Sequence, residues 1–249
     1  MNRLGLFIMR GICIATICVV ILTMQSCIDR TGNAVRLIDV SNAKENIQKD
    51  SIWNNVTFEA LTIGNWDVPT IRDYTISDYC CYILGYNNVF VSINLNNGEI
   101  LSYMQIKGRA TYESISPTCI TSDETHLFVF DAGRMEILVM NKDFSYQSSI
   151  QVDPCLPDAM VRVDGGFLCY QFQKYSECYY ITDSGKIQYK KCFDELDHTL
   201  VSNSYPFVRD ERNDMYVKGD FSDTVFLWNG STLVPEYKMK YGGSEPYSM

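Results

Sequence analysis

Histidine is almost missing from this chain: His126 and His198 are the only two in 249 residues. That removes most of the usual base and metal-ligand repertoire before any motif is sought. Basic residues are short as well, with 21 Lys and Arg against 30 Asp and Glu, a formal charge of −9. Such a balance lacks the electrostatic footprint of a nucleic-acid binder. C-x-x-C, G-x-S-x-G, Walker-type, H-E-x-x-H, EF-hand and G-x-G-x-x-G patterns are all absent. Zinc-ribbon, thioredoxin-type, hydrolase-elbow and nucleotide-loop chemistry therefore have no sequence support. No segment carries a convincing 3.6-residue apolar stripe, which argues against a helical architecture.

What is present is apolar and aromatic. Hydrophobic residues make up 46% and charged residues 20%, a composition that folds rather than one that stays disordered. Seventeen Tyr and twelve Phe weight the chain toward strands. The N-terminus carries an address. Arg3 and Arg10 form a basic start, and Gly11 to Met24 is a 14-residue uncharged run. That run is too short to cross a ~30 Å hydrocarbon core at about 1.5 Å per residue, and polar sequence follows at once. Residues 1–26 read as a secretory signal. Ser26 before Cys27 resembles a bacterial lipobox, with Met24 and Gln25 in place of the more usual Leu and small residue. Cys27 is then the residue to be lipidated, and acyl chains would hold the protein at a membrane without a spanning helix. The alternative is ordinary secretion. Removing residues 1–26 takes away two basic residues and no acid, leaving 19 against 30. No polybasic patch is left to help, so membrane attachment must come from the lipid.

Seven of the ten cysteines lie beyond Cys27: Cys80, Cys81, Cys119, Cys155, Cys169, Cys178 and Cys192. Seven cannot all pair. Most sit inside apolar runs and read as small buried hydrophobes. One disulfide involving Cys155, Cys178 or Cys192 is the alternative. Adjacent Cys80 and Cys81 should point to opposite faces of a strand.

The body of the chain repeats. Polar turns follow strands of large apolar residues at Asn96-Asn97-Gly98, Asn141-Lys142-Asp143, Asp183-Ser184-Gly185 and Asn229-Gly230-Ser231. Their starts at 96, 141, 183 and 229 lie 45, 42 and 46 residues apart. Glycines in such turns supply the positive φ that hairpins need. Each unit resolves into about four strands, and four strands every ~40–50 residues is the pattern of a β-propeller blade. The fold class is all-β: a propeller of four-stranded antiparallel blades, with about four to five blades present. Residues 27–50 read as a tether with a lead-in strand at Ala34 to Val40, and residues 51–249 as the propeller domain. A six-bladed ring needs roughly 264 residues, more than the 223 that follow residue 26. The ring is therefore expected to be incomplete or shortened, with open edges that invite pairing.

The chain resembles the six-bladed, TolB-like β-propeller lipoproteins of Bacteroides-type bacteria. The match runs through Tyr205-Pro206-Phe207, Asp223-Thr224-Val225-Phe226 and Val234-Pro235-Glu236-Tyr237 ending at Tyr241-Gly242. Phe58-Glu59-Ala60-Leu61-Thr62 looks like an early strand of that family. Lys107 to Glu113 falls where the family carries a Gly-x-Gly-Pro-x-Glu-Tyr loop, but here the second Gly and the Pro are missing. The resemblance implies a lipid-anchored envelope protein, often tied to nutrient or glycan uptake, and it brings no catalytic residues.

Candidate chemistry is sparse. His126 beside Thr125 reads as a turn or strand-edge histidine before it reads as a ligand. Asp194, Glu195, Asp197 and His198 could hold a divalent cation, although a solvated loop explains them as well. Asp210 to Asp214 reads as a charged turn, and Asp220 with Asp223 as part of a structural strand. Trp53, Trp66 and Trp228 offer stacking faces for sugars. Trp228 alternates with Phe226 and belongs to a core, whereas Trp66, in Gly64-Asn65-Trp66-Asp67, is the aromatic expected to be exposed. The reading is a binding or scaffold module for a protein or glycan partner, at the cell envelope, with no catalysis, metal, cofactor or nucleic acid. Two alternatives are a Ca-dependent propeller hydrolase acting on a lactone or glycoside, and a shortened, non-functional family member.

Overall fold

The structure, a computed structural model, describes residues 35–39, 70–105, 116–172, 176–193, 205–219 and 222–240. Among these residues every regular element is a β-strand. β1 (Arg36–Asp39) comes first. The strands β2 (Ile71–Ser77), β3 (Cys80–Gly85), β4 (Val89–Asn94) and β5 (Ile100–Gln105) form one antiparallel meander. A second contains β6 (Pro117–Ser122), β7 (His126–Asp131), β8 (Glu136–Asn141) and β9 (Tyr146–Gln151). A third contains β10 (Ala159–Val163), β11 (Gly166–Gln171), β12 (Glu177–Thr182) and β13 (Ile187–Cys192). The last strands are β14 (Phe207–Arg209), β15 (Met215–Lys218), β16 (Thr224–Trp228) and β17 (Leu233–Lys240). The chain divides into two compact units, residues 62–200 and residues 1–61 with 201–249.

Within the 62–200 unit the three sheets pack face to face. Strand alternation explains how. Leu127 and Val129 of β7 join Tyr82, Leu84 and Phe90 of the first sheet in one core. Phe128 and Phe130, one residue out of phase, join Phe167, Cys169 and Tyr179 of the third sheet in another. A middle strand pressed between two sheets must be apolar on both faces, so β7 and β8 read as unbroken apolar runs rather than as alternating ones. The outer strands have less cover, and β5 and β13 alternate half-buried with exposed residues.

Polar side chains tie each first strand to the next. Asp73 of β2, buried, accepts from the Ile120 amide of β6 at 2.8 Å. Thr121 of β6 accepts from the Arg162 amide of β10 at 3.2 Å. Thr75 and Ser122 hydroxyls meet at 3.1 Å. Buried acceptors stay affordable only with such partners.

The turns that mark the repeat are hairpins. Gly98, Gly185 and Gly230 all have positive φ, as the turn chemistry required. The second repeat has no glycine there, and Phe144 takes φ 69° instead. That conformation costs on the order of 1–3 kcal/mol. The ring is buried against Tyr82, edge-on at 6.2 Å, and Phe90 at 5.8 Å, which returns about 1.5–3 kcal/mol. Each outer strand of this unit carries a bulge at the same place, at Leu101, Gln147 and Gln188.

In the other unit β14 to β17 form an antiparallel sheet, and β1 adds parallel to β17, Arg36 opposite Tyr237 and Asp39 opposite Lys240. The expected lead-in strand is thus a fifth strand on the outer edge of the last sheet. Trp228 is buried, as its alternation with Phe226 predicted.

Candidate interaction surface

Cys27, Trp53, Trp66, Asp220 and the Asp194–His198 cluster lie outside the described residues. The remaining candidates are bound up in structure. His126 opens β7, where Thr125 Oγ1 is 2.7 Å from its Nδ1 and Asp123 accepts from its amide at 2.7 Å. It is a strand-edge residue fixed by its turn. Asp210 accepts from the amides of Arg212 and Asp214 at 2.9 and 2.8 Å and folds the Asp210–Asp214 turn around itself. Asp223 accepts from the Thr224 hydroxyl at 2.8 Å and faces Lys238 at 3.4 Å.

Other turn carboxylates behave alike. Asp131, buried, accepts from the Ser116 and Gly133 amides at 3.1 and 2.8 Å. Partial burial works against the charge of Asp123, but the His126 and Thr125 amides and the Thr125 hydroxyl outweigh it and hold its carboxyl below the usual range. Asp153 is held low by the Ile187 amide and by Lys186. Asp123 and Asp153 keep their charge to lower pH than an ordinary carboxyl, and all three groups are committed to backbone donors.

The seven described thiols are all free. Burial pushes Cys81 and Cys155 up to about 11, and raises Cys119, Cys169 and Cys178 as well. They stay protonated at neutral pH and are poor nucleophiles. Cys119, Cys155 and Cys169 share the core between the second and third sheets with Tyr179. As the pattern predicted, Cys80 and Cys81 part: Cys80 packs toward the second sheet, and Cys81 is opposite Ile93 on the other face.

Two tyrosines are the most exposed large hydrophobics among the described residues of this unit. Tyr79 and Tyr86 are 68% and 60% exposed. They stand at the two turns of β3, next to Asp78 at φ 54° and close to Asn88 at φ 56°. The Arg72 guanidinium lies over the Tyr86 ring, 5.6 Å from its centre. Ile76 is 51% exposed beside Tyr79. At the same end as Tyr79, Lys142 donates to the Asp123 carbonyl at 2.7 Å and sits 5.0 Å from the Tyr82 ring. Sequence reasoning missed both tyrosines. The turn residues Asp78 and Asn87-Asn88 around them carried the same signal that pointed to Trp66, but apolar flanks hid it.

These sheets have counterparts of known structure. A family model described as a 6-bladed beta-propeller matches residues 28–249. A crystal structure from Bacteroides fragilis, provisionally named an exported protein, superposes with a TM-score of 0.55 at 16% identity. The match covers 73% of this chain and 55% of that one, so this chain spans about half the length of that structure. A structure of a nidogen/laminin complex matches with a TM-score of 0.44 at 15% identity, over 69% of each chain. No curated protein matches.

Proposed function

This chain belongs to a 6-bladed β-propeller family, and from that premise we propose that it is an exported binding module of the cell envelope. It holds a protein or glycan partner against the turn ends of its sheets. The observation that carries this reading is the two exposed aromatic turns, Tyr79 and Tyr86, one at each end of β3, in a unit whose turn carboxylates Asp123 and Asp131 are spent on backbone amides. Aromatic faces of this kind contribute binding area at low conformational cost. Lipidation of Cys27 would supply the anchor, consistent with the charge-free run before it.

The test is a glycan and peptide array probed with the purified chain and with Tyr79→Ala, Tyr86→Ala and Trp66→Ala variants. Specific retention, weakened by at least one of these changes, supports the reading. Retention indifferent to all three sinks the placement of the site. Calcium-dependent turnover in a lactone and glycoside hydrolysis screen would replace the reading with an enzymatic one. Anchoring is tested separately: Cys27→Ala should release the protein from the membrane fraction, and persistence there contradicts lipidation.

A further inference from the structure

We propose that Arg72 and Tyr86 form a subsite for the carboxylate of an acidic sugar, a hexuronate in a short glycan. The inference rests on the binding role proposed above and names the ligand class at one of its two tyrosines. β2 carries a bulge between Ile71, opposite Gly85, and Asp73, opposite Leu84. Arg72 is the extra residue, and a bulge of this kind re-aims the side chain it frees. Its guanidinium lies over the Tyr86 ring. Tyr86, Asn87 and Thr70 are all exposed. The Tyr86 amide donates to the Thr70 carbonyl at 3.0 Å, which ties the turn after β3 to the start of β2.

The second sheet shows what the repeat itself requires at this place. Its first strand has the same bulge, between Pro117, opposite Asp131, and Cys119, opposite Phe130. The same hydrogen bond is made, from the Ala132 amide to the Ser116 carbonyl at 2.9 Å. Thr118 and Ala132 stand there where the first sheet has Arg72 and Tyr86. The backbone therefore needs neither an arginine nor a tyrosine. Arg162 sharpens the contrast, because it also lies over aromatic rings but forms an ion pair with Asp183. Among the described residues no carboxylate forms an ion pair with Arg72.

The chemistry selects the ligand. A guanidinium offers a planar fork that matches a carboxylate bidentately. Tyr86 adds an apolar ring with a polar tip, a surface suited to the C–H groups of a pyranose. The Asn87 amide both donates and accepts, as sugar hydroxyls do. The chain is acidic overall, with 30 Asp and Glu against 21 Lys and Arg, so its field opposes a long polyanion and favours a short chain. One fork and one exposed ring make a shallow site, with a dissociation constant on the order of 0.1–1 mM.

The experiment titrates the full chain with trigalacturonate, its methyl ester and triglutamate, followed by ligand-observed NMR. Arg72→Thr and Tyr86→Ala copy the second sheet, so the melting temperature should stay unchanged in both. Binding of trigalacturonate that weakens about tenfold in Arg72→Thr, about threefold in Arg72→Lys and Tyr86→Ala, and not in Tyr79→Ala, supports the proposal. No binding at about 10 mM overturns it. So does equal binding of the methyl ester or of triglutamate, and so does binding indifferent to Arg72→Thr. Where trigalacturonate fails but the array retains another ligand through Tyr79 or Tyr86, this inference falls and the binding role stands. Where nothing is retained in either assay, both fall.

Discussion

Arg162 of β10 caps the contact between the second and third sheets, lying over Phe128 of one and Phe167 of the other. Its guanidinium lies 5.1 Å from the Phe128 ring centre and 4.7 Å from that of Phe167. It donates to the Gly166 carbonyl at 2.9 Å and forms an ion pair with Asp183. Each cation–π contact contributes about 0.5–1 kcal/mol. The charged hydrogen bond to the carbonyl adds about 1.5 kcal/mol. Asp183 is half exposed, so solvent screening limits the ion pair to less than about 1 kcal/mol. Truncation by Arg162→Ala should therefore cost roughly 3 kcal/mol, a fall of about 10 °C in melting temperature for a chain of this size. Arg162→Lys keeps the charge but loses the planar fork, and should lose about half as much. Asp183→Asn should cost under about 1 kcal/mol. Thermal and urea melts followed by near-UV circular dichroism measure all three. If Asp183→Asn proves as damaging as Arg162→Ala, the ion pair within the third sheet and not the aromatic sandwich carries the effect, and the reasoning fails.

Gly185 and Gly230 make a matched test of turn strain. Both have positive φ, but a Cβ on Gly185 would come within 1.8 Å of the Gln151 carbonyl oxygen, whereas one on Gly230 meets nothing within 4 Å. Gly230→Ala should cost about 1 kcal/mol and Gly185→Ala at least about 3 kcal/mol, read from urea midpoints; equal losses would remove the steric argument. Stability should also fall in acid. Asp123, Asp143 and Asp153 are held below their ordinary values, so their contribution is present above about pH 4 and is lost as the pH drops through their folded values. Asp123→Asn should flatten the loss between urea melts at pH 5 and pH 3, and an unchanged slope counts against the Asp123 turn. In alkali the sign reverses. Cys81 and Cys155 are raised to about 11, so stability is full below the unfolded thiol value of about 8.5 and declines as pH rises toward 11. A thiol reagent at pH 8 should label exposed Cys192 first, Cys80 and Cys155 more slowly, and buried Cys81, Cys119, Cys169 and Cys178 only on unfolding. Rapid labelling of Cys169 would mean that the second and third sheets part readily.

The legible part of the fold was its period. The turns at 96, 141, 183 and 229 head the four outer strands observed, because a hairpin needs local chemistry that the residues themselves display. Phe144 was not legible as a positive-φ residue. Nothing local favours it, and only the rings of Tyr82 and Phe90, more than fifty residues upstream, make the conformation worthwhile. The same limit hid Tyr79 and Tyr86. An aromatic beside a turn reads the same whether a neighbouring sheet covers it or not. His126 and Asp210 were read as turn residues, because Asx-type capping is a short-range interaction that spacing reveals.

Composition and periodicity by themselves determined that this is an all-β chain of four-stranded repeats, since strand alternation and turn chemistry are properties of a few consecutive residues. Tertiary structure alone decided that both faces of β7 are core and that β1 joins β17. Those outcomes depend on which surfaces meet across long stretches of chain, and burial of that kind leaves no local mark in a strand that looks like its neighbours.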